Sequence, residues 1–303
     1  MHHCIGLFVF LPPVFDHSGG GDFKVTPGMK TAFEQQGYVL VRSLLDSEET
    51  GRVREALESQ DSVWKHSFGI KGKDGRLSRL CVWSNPGNDV TGVLARCEKM
   101  AGTCETLLGG EVYHYHSKLM MKEADIGGKF LWHQDYGYWY QNGNLFPDMM
   151  TAFVAVDGCT KENGCLKILP GSHLCGRLDH TLTEGQQGAE LERVEHIKSR
   201  LPVMDVVMEP GDCLFFHCNL LHSSGPNLSP SRRWALLVAY NRRSNNPVRE
   251  HQHPRYRPLT KAQNSLLKTC PLTEPNPEVK EFMDPSKSRT LANVERPSET
   301  QRQ

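Results

Sequence analysis

Apolar residues in this chain keep two different periods, and the change falls near Gly110. Before it the spacing is helical. Thr26 followed by Pro27 is a helix start and Gly37 a stop. Tyr38 to Arg42 then alternates like a short strand. Asp46 with Glu49 three residues later predicts a capping box opening a helix to about Ser59. Val90, Val93, Leu94, Cys97, Met100, Ala101, Cys104, Leu107 and Leu108 recur every three or four residues. That spacing predicts one helix over 89–108 with a single buried face, stopped by Gly109.

After Gly110 the apolar runs shorten to strand length: 111–122, 130–135, 150–156, 165–169, 203–208, 213–217 and 234–240. Asn163-Gly164 predicts a hairpin, and Pro210-Gly211 fits the centre of a type II turn. Residues 174–202 are polar and too long for a simple hairpin loop, so a cover over a substrate site is expected there. From about Pro258 onward Pro, Ser, Thr, Asn and charges dominate, which predicts an irregular or disordered tail. Helices first and many short strands afterwards predict a mainly β fold with flanking helices: a jelly-roll, cupin-like barrel or double-stranded β-helix. The expected division is an N-terminal extension over 1–23, a domain over 24–258 and a polar tail over 259–303.

Composition narrows the function classes. The chain has 303 residues, with 35 Lys and Arg against 35 Asp and Glu. That balance gives no basic footprint for nucleic acid. The ten cysteines form no CxxC pair, and several lie in apolar runs, as reduced thiols do. The apolar stretch Ile5 to Phe15 is broken by Pro12 and Pro13. It is too short to span a membrane, and without Lys or Arg ahead of it, it makes a poor secretory signal. The closing Gln301-Arg302-Gln303 is no peroxisomal tripeptide. A cytoplasmic protein acting on a small molecule, with no nucleic-acid or membrane partner, is the expectation.

The densest chemistry is His133-Gln134-Asp135. On a strand, residues i and i+2 share a face, so His133 and Asp135 can offer an imidazole and a carboxylate to one ion while Gln134 turns away. An imidazole from a distant strand across the barrel would complete a 2-His-1-carboxylate set, which suits Fe(II) and leaves positions open for a co-substrate and oxygen. His217 and His222 both qualify, and their spacing puts them on opposite faces. Arg233 opens the apolar strand WALLVAY. A 2-oxo acid bound at such a centre needs a fixed, bidentate cation for its far carboxylate, and Arg232 beside it faces the other way. His114 and His116 form a second HxH on one strand face and, with Glu123, loosely suggest a cupin-type site. Tyr136, Tyr138, Trp139 and Tyr140 follow His133 and Asp135 directly and can wall a pocket for an amine or imine.

HQD at 133–135, ENGCLKILPGSH at 162–173, EPGDCLFFHCNLLHSSGPN at 209–227 and RRWALLVAY at 232–240 together resemble the phytanoyl-CoA dioxygenase family of Fe(II)- and 2-oxoglutarate-dependent hydroxylases. YHYHSKLMMK at 113–122 and HQDYGYWYQNG at 133–143 look more like its small-molecule branch, which includes ectoine hydroxylase and free-proline hydroxylases. The resemblance implies His133, Asp135 and His222 as iron ligands, Arg233 as the 2-oxoglutarate anchor, Ser224 in support and Lys118 close to the co-substrate. His116 and Met120 stand where ectoine hydroxylase carries glutamine and asparagine. The implied activity is hydroxylation of a free amino or imino acid with Fe(II), 2-oxoglutarate and O2. The intact Asp135 speaks against halogenation. An acyl-CoA hydroxylase of the same family, or a metal- or 2-oxoglutarate-binding sensor, is the alternative. Tyr136, Tyr138, Trp139 and His116 are the expected substrate residues.

Overall fold

Fifteen strands and seven α-helices are formed among the described residues, 13–71, 75–183, 186–287 and 294–295 of the computed structural model. Helix α1 (Pro27–Gln36) is capped by Thr26 and closed by Gly37 in the left-handed conformation. Asp46 and Glu49 form the reciprocal capping box of α2 (Ser47–Ser59), followed by α3 (Asp61–Lys65). The helix expected over 89–108 is broken into α4 (Val90–Arg96), a π-turn and α5 (Thr103–Leu108). Cys97 is extended. The returning C-terminal chain takes the groups that would continue the helix: the Ala262 amide donates to the Arg96 carbonyl at 3.0 Å, and Asn264 accepts from the Lys99 amide.

Strands β1 (Val14–Asp16), β2 (Tyr38–Arg42), β3 (Phe68–Lys71), β4 (Leu77–Trp83), β5 (Val112–Lys122), β7 (Met149–Ala155), β12 (Cys213–His217), β14 (Arg233–Arg242) and β15 (Val294–Glu295) form one nine-stranded sheet, in the order β1-β2-β12-β7-β14-β5-β4-β3-β15. A four-stranded sheet, β11-β8-β13-β6, is built from β6 (Phe130–His133), β8 (Leu166–Ile168), β11 (Met204–Val206) and β13 (His222–Ser224). Side chains from both sheets share one core, with Leu40, Phe153, Leu214 and Leu237 meeting Leu166, Ile168 and Val206. The outer face of the large sheet carries the helices through a second core, where Phe33, Val53, Leu94 and Cys104 meet Phe215, Leu236, Val238 and Tyr240. This is the expected double-stranded β-helix with a helical layer.

Several expectations change. Val14–Asp16 lies within the segment expected outside the domain, yet β1 pairs parallel with β2; residues 1–12 lie outside the described residues. Asn163-Gly164 does make a tight turn, with Gly164 at φ 78, but it links β7 and β8 in different sheets rather than a paired hairpin. The polar segment 174–202 is a hairpin, β9 (His180–Thr183) with β10 (Gln186–Ala189), and helix α7 (Leu191–Lys198).

The chain after Pro258 is no loose tail through residue 287. Lys280 is fully buried, and its ammonium reaches Asp89 at 3.0 Å and the Thr91 hydroxyl at 2.8 Å. Asp89 is the N-cap of α4. Phe282 bridges to Trp83, and the Met283 amide donates to Val82. Polar composition hid this docking because its apolar anchors, Leu259, Leu267, Leu272 and Phe282, are scattered and aperiodic, and the rest is backbone bonds and a buried ion pair.

A candidate iron and 2-oxoglutarate site

β6 ends at His133, and Asp135 is the first residue of helix α6 (Asp135–Gln141). Two ligands on one strand is therefore not the arrangement. Gln134 between them is still extended, so the alternation of faces persists across the junction. His222 lies on β13, which neighbours β6 rather than crossing the barrel, and His222 pairs directly with His133. One ligand atom from each of His133, Asp135 and His222 lies within 4.8 Å of the others.

The protonation of each donor is fixed by its neighbours. His133 Nδ1 lies 2.7 Å from the Leu131 carbonyl, and His222 Nδ1 lies 2.9 Å from the Leu220 carbonyl. A carbonyl only accepts, so each Nδ1 carries the proton and each Nε2 keeps a free lone pair. Burial holds both imidazoles below their usual pKa, so they are neutral donors at neutral pH. Thr151 donates to Asp135 Oδ2 at 2.7 Å, leaving Oδ1 3.9 Å from His222 Nε2. Two neutral imidazoles and one oriented carboxylate make a donor set that fits a hard-to-borderline divalent ion.

Gln134 faces away and is saturated. Its amide donates to Gly176 and Asn219 and accepts from the Leu178 amide, which ties the 176–180 segment to the ligand junction. His217 stands outside the clustered donors: its Nδ1 accepts from the Asn219 amide at 3.0 Å and its ring packs near Phe33 and His173.

His133 and His222 line a cavity of about 160 Å³. At one end Arg233 is buried, and its Nη2 donates to the Gly164 carbonyl at 2.8 Å. Its Nε is buried with no hydrogen-bond partner. No carboxylate among the described residues pairs with it. Paired with it across the strands is Lys122, also fully buried, whose ammonium donates to the Ser224 hydroxyl at 2.9 Å and to the Gly225 carbonyl. Burial, then Arg233, pushes the Lys122 pKa well down. Two buried cations without an anion cost several kcal/mol each by estimate, a cost that a carboxylate placed there offsets. Arg232 points outward instead, pairing with Glu58 and, at 3.1 Å, with Asp157.

Lys118, His116, Tyr138 and Trp139 line the same cavity. Tyr136 and Tyr140 do not, because 135–141 is helical and residues four apart share a face. Tyr136 turns into a core and donates to the Asn144 carbonyl, and Tyr140 is 45% exposed under Arg177. His114 and His116 are separated by a bulge at Tyr115: Tyr240 pairs with His114 and the preceding Ala239 with His116. His114 therefore lies on the helix side, bonded to Ser84 and Ser117. Glu123 accepts from the Trp234 indole, so the cupin-type alternative does not assemble. Thr151 and Lys122 escaped the sequence reading. Thr151 is one hydroxyl in an apolar strand, but Lys122 shares the Lys118 face at i+4 and was findable.

The phytanoyl-CoA dioxygenase family model matches residues 33–235. The chain belongs to that family. An L-proline trans-4-hydroxylase of Streptomyces griseoviridis is 34% identical over 241 residues, which cover 74% of this chain and 90% of the relative. An ectoine dioxygenase of Stutzerimonas stutzeri (strain A1501) is 26% identical over 246 residues, covering 76% and 82%. Among solved structures, EctD from S. alaskensis with 2-oxoglutarate and 5-hydroxyectoine aligns with TM-score 0.62 at 22% identity, over 87% of this chain and 95% of the other. That likeness supports the double-stranded β-helix. As a member of the family, the chain is an iron- and 2-oxoglutarate-dependent dioxygenase. No helix among the described residues is long and apolar enough to cross a membrane.

Proposed function

We propose that this dioxygenase hydroxylates a small free amino or imino acid, consuming 2-oxoglutarate and O2 and releasing succinate and CO2. His133, Asp135 and His222 hold Fe(II), Arg233 with Lys122 and Ser224 holds the far carboxylate of 2-oxoglutarate, and Lys118 lies between them and the substrate wall. Fe(II), when bound, supplies the oxygen chemistry that no side chain can. The protein's part is positional. The Leu131 and Leu220 carbonyls fix the imidazole tautomers, and Thr151 orients the carboxylate. The segment 174–202 excludes water: Tyr138 donates to the Gln187 carbonyl at 2.6 Å, and Gln186 bonds both Leu131 and Lys129. Tyr138, Trp139 and His116 form the substrate wall.

One observation carries this reading: a closely spaced triad of correctly protonated donors has its two imidazoles on the wall of a cavity of about 160 Å³ that also holds a buried, uncompensated arginine. The 34% identity to an L-proline trans-4-hydroxylase supports the same class. The test is succinate release from iron-loaded protein across a panel of free amino and imino acids and branched acyl-CoA thioesters. Stimulation by an amino or imino acid is the expected result. Turnover of an acyl-CoA with no response to any zwitterion overturns the substrate class.

A further inference from the structure

The cavity has a second polar wall, opposite in character to the Arg233 end. His116 comes from the bulged part of β5, and His253 from the chain that returns after β14. Their rings lie 4.9 Å apart, tilted by 34°. Trp139 stands edge-on to His116 at 5.8 Å, and Tyr115 packs against His253 at 4.8 Å. His116 is 7% exposed. Nδ1 of each ring is buried with no hydrogen-bond partner. The neighbouring histidines differ: His114 has both nitrogens bonded, and His133, His180 and His222 each have one tied to a carbonyl. Nδ1 of each ring is closed off from the cavity, so Nε2, which is not enclosed and has no hydrogen-bond partner among the described residues, is the atom that each imidazole of this wall offers a ligand.

The sign of that ligand follows from the surroundings. Lys118 projects into the same cavity, and its charge bears on both rings. His114 on β5 and His251 on the segment of His253 are the other titratable neighbours felt by the pair; α6 contributes only Trp139 to His116. No carboxylate acts on either ring among the described residues. A positive, desolvated wall repels an ammonium and attracts an anion. The three histidines 116, 251 and 253 do not form a metal-binding group among the described residues.

We propose that His116 and His253 form the subsite for the carboxylate of the substrate amino or imino acid, with Lys118 supplying the positive field. This rests on the proposed function above and names the group recognised. Each ring donates one N–H to the carboxylate, and the negative charge favours the protonated form of an imidazole that burial otherwise keeps neutral.

The experiment uses full-length protein with Fe(II) and 2-oxoglutarate, with L-proline and L-prolinamide as probes. Wild type, His116→Asn and His253→Asn are compared by steady-state kinetics, and by anaerobic titration calorimetry of L-proline. Each variant is expected to raise the KM for L-proline by about tenfold or more, the effect of losing a hydrogen bond to a charged group. The KM for 2-oxoglutarate should not change, and the preference for L-proline over L-prolinamide should collapse. An unmoved L-proline KM, or a parallel rise in the 2-oxoglutarate KM, overturns the subsite while leaving the amino-acid reading intact. Failure of every free amino or imino acid to stimulate wild type overturns that reading and the subsite with it.

Discussion

Replacing Arg233 with Met keeps most of the side-chain volume and removes the charge. In the wild-type fold this guanidinium is buried, holds one protein carbonyl at 2.8 Å and has an unbonded Nε. Loss of one partner of a buried, hydrogen-bonded charge pair costs about 2–5 kcal/mol, which is about 30-fold to a few thousandfold in Kd. Lys122 remains beside the site and donates to Ser224, so 2-oxoglutarate affinity should fall toward the lower end, by about 30- to 100-fold. Iron affinity should change little, since no triad residue bonds Arg233. Arg232→Met is the matched control. Arg232 pairs with Glu58 and Asp157 at half-exposed positions, and such pairs contribute about 0–1 kcal/mol. Anaerobic titration of 2-oxoglutarate into the Fe(II)-loaded proteins, with Fe(II) titrated separately, measures both constants. Equal losses from the two variants, or iron and 2-oxoglutarate affinity falling together in Arg233→Met, would refute the assignment of Arg233 as the co-substrate anchor.

Gly164 supplies the carbonyl that positions Arg233, and a Cβ there would meet the Gly225 carbonyl oxygen at 2.4 Å with φ at +78; Gly164→Ala should weaken 2-oxoglutarate binding, whereas Gly158→Ala, whose Cβ meets nothing closer than 3.8 Å, should not. Lys280→Met leaves the Asp89 charge buried, at a cost of about 3–5 kcal/mol. Asp89 keeps its bonds from Gln60, Thr91 and Gly92, so the lower figure applies, and a melting scan that shows no drop would mean the C-terminal chain is not docked. Burial lowers His114, His217 and His253 to about 3. Unfolding then takes up protons below about pH 6.5, the unfolded value, and each histidine removes stability at about 1.4 kcal/mol per pH unit as pH falls toward 3; denaturant midpoints that stay flat from pH 7 to 4 would contradict this.

The helix caps, the strands of the double-stranded β-helix and the triad were legible because each rests on local spacing or a compact motif. Thr26, Asp46 and Gly37 act within one turn of themselves. HQD brings His133 and Asp135 together for a slightly different reason than a continuous strand, since the extended Gln134 preserves the alternation into α6. What stayed hidden depends on register or on return of the chain. The bulge at Tyr115 moves His114 to the opposite face from His116, and no local pattern announces an extra residue. Tyr136 and Tyr140 left the pocket because a helix begins at Asp135. β3 and β4 were passed over, and the polar segment after Pro258 carries Lys280 and the chain that packs on α4. His253 reaches the cavity only because that part of the chain returns, so its partnership with His116 has no signature in sequence.

The central claim is that His133, Asp135 and His222 hold one iron ion. Equilibrium dialysis of Fe(II) under anaerobic conditions, with chemical quantitation of iron per chain, tests it most directly. One tightly held ion per chain in wild type is expected, retained in His217→Ala and lost in His222→Ala. Iron retained by His222→Ala and lost by His217→Ala would contradict the ligand set and the account built on it.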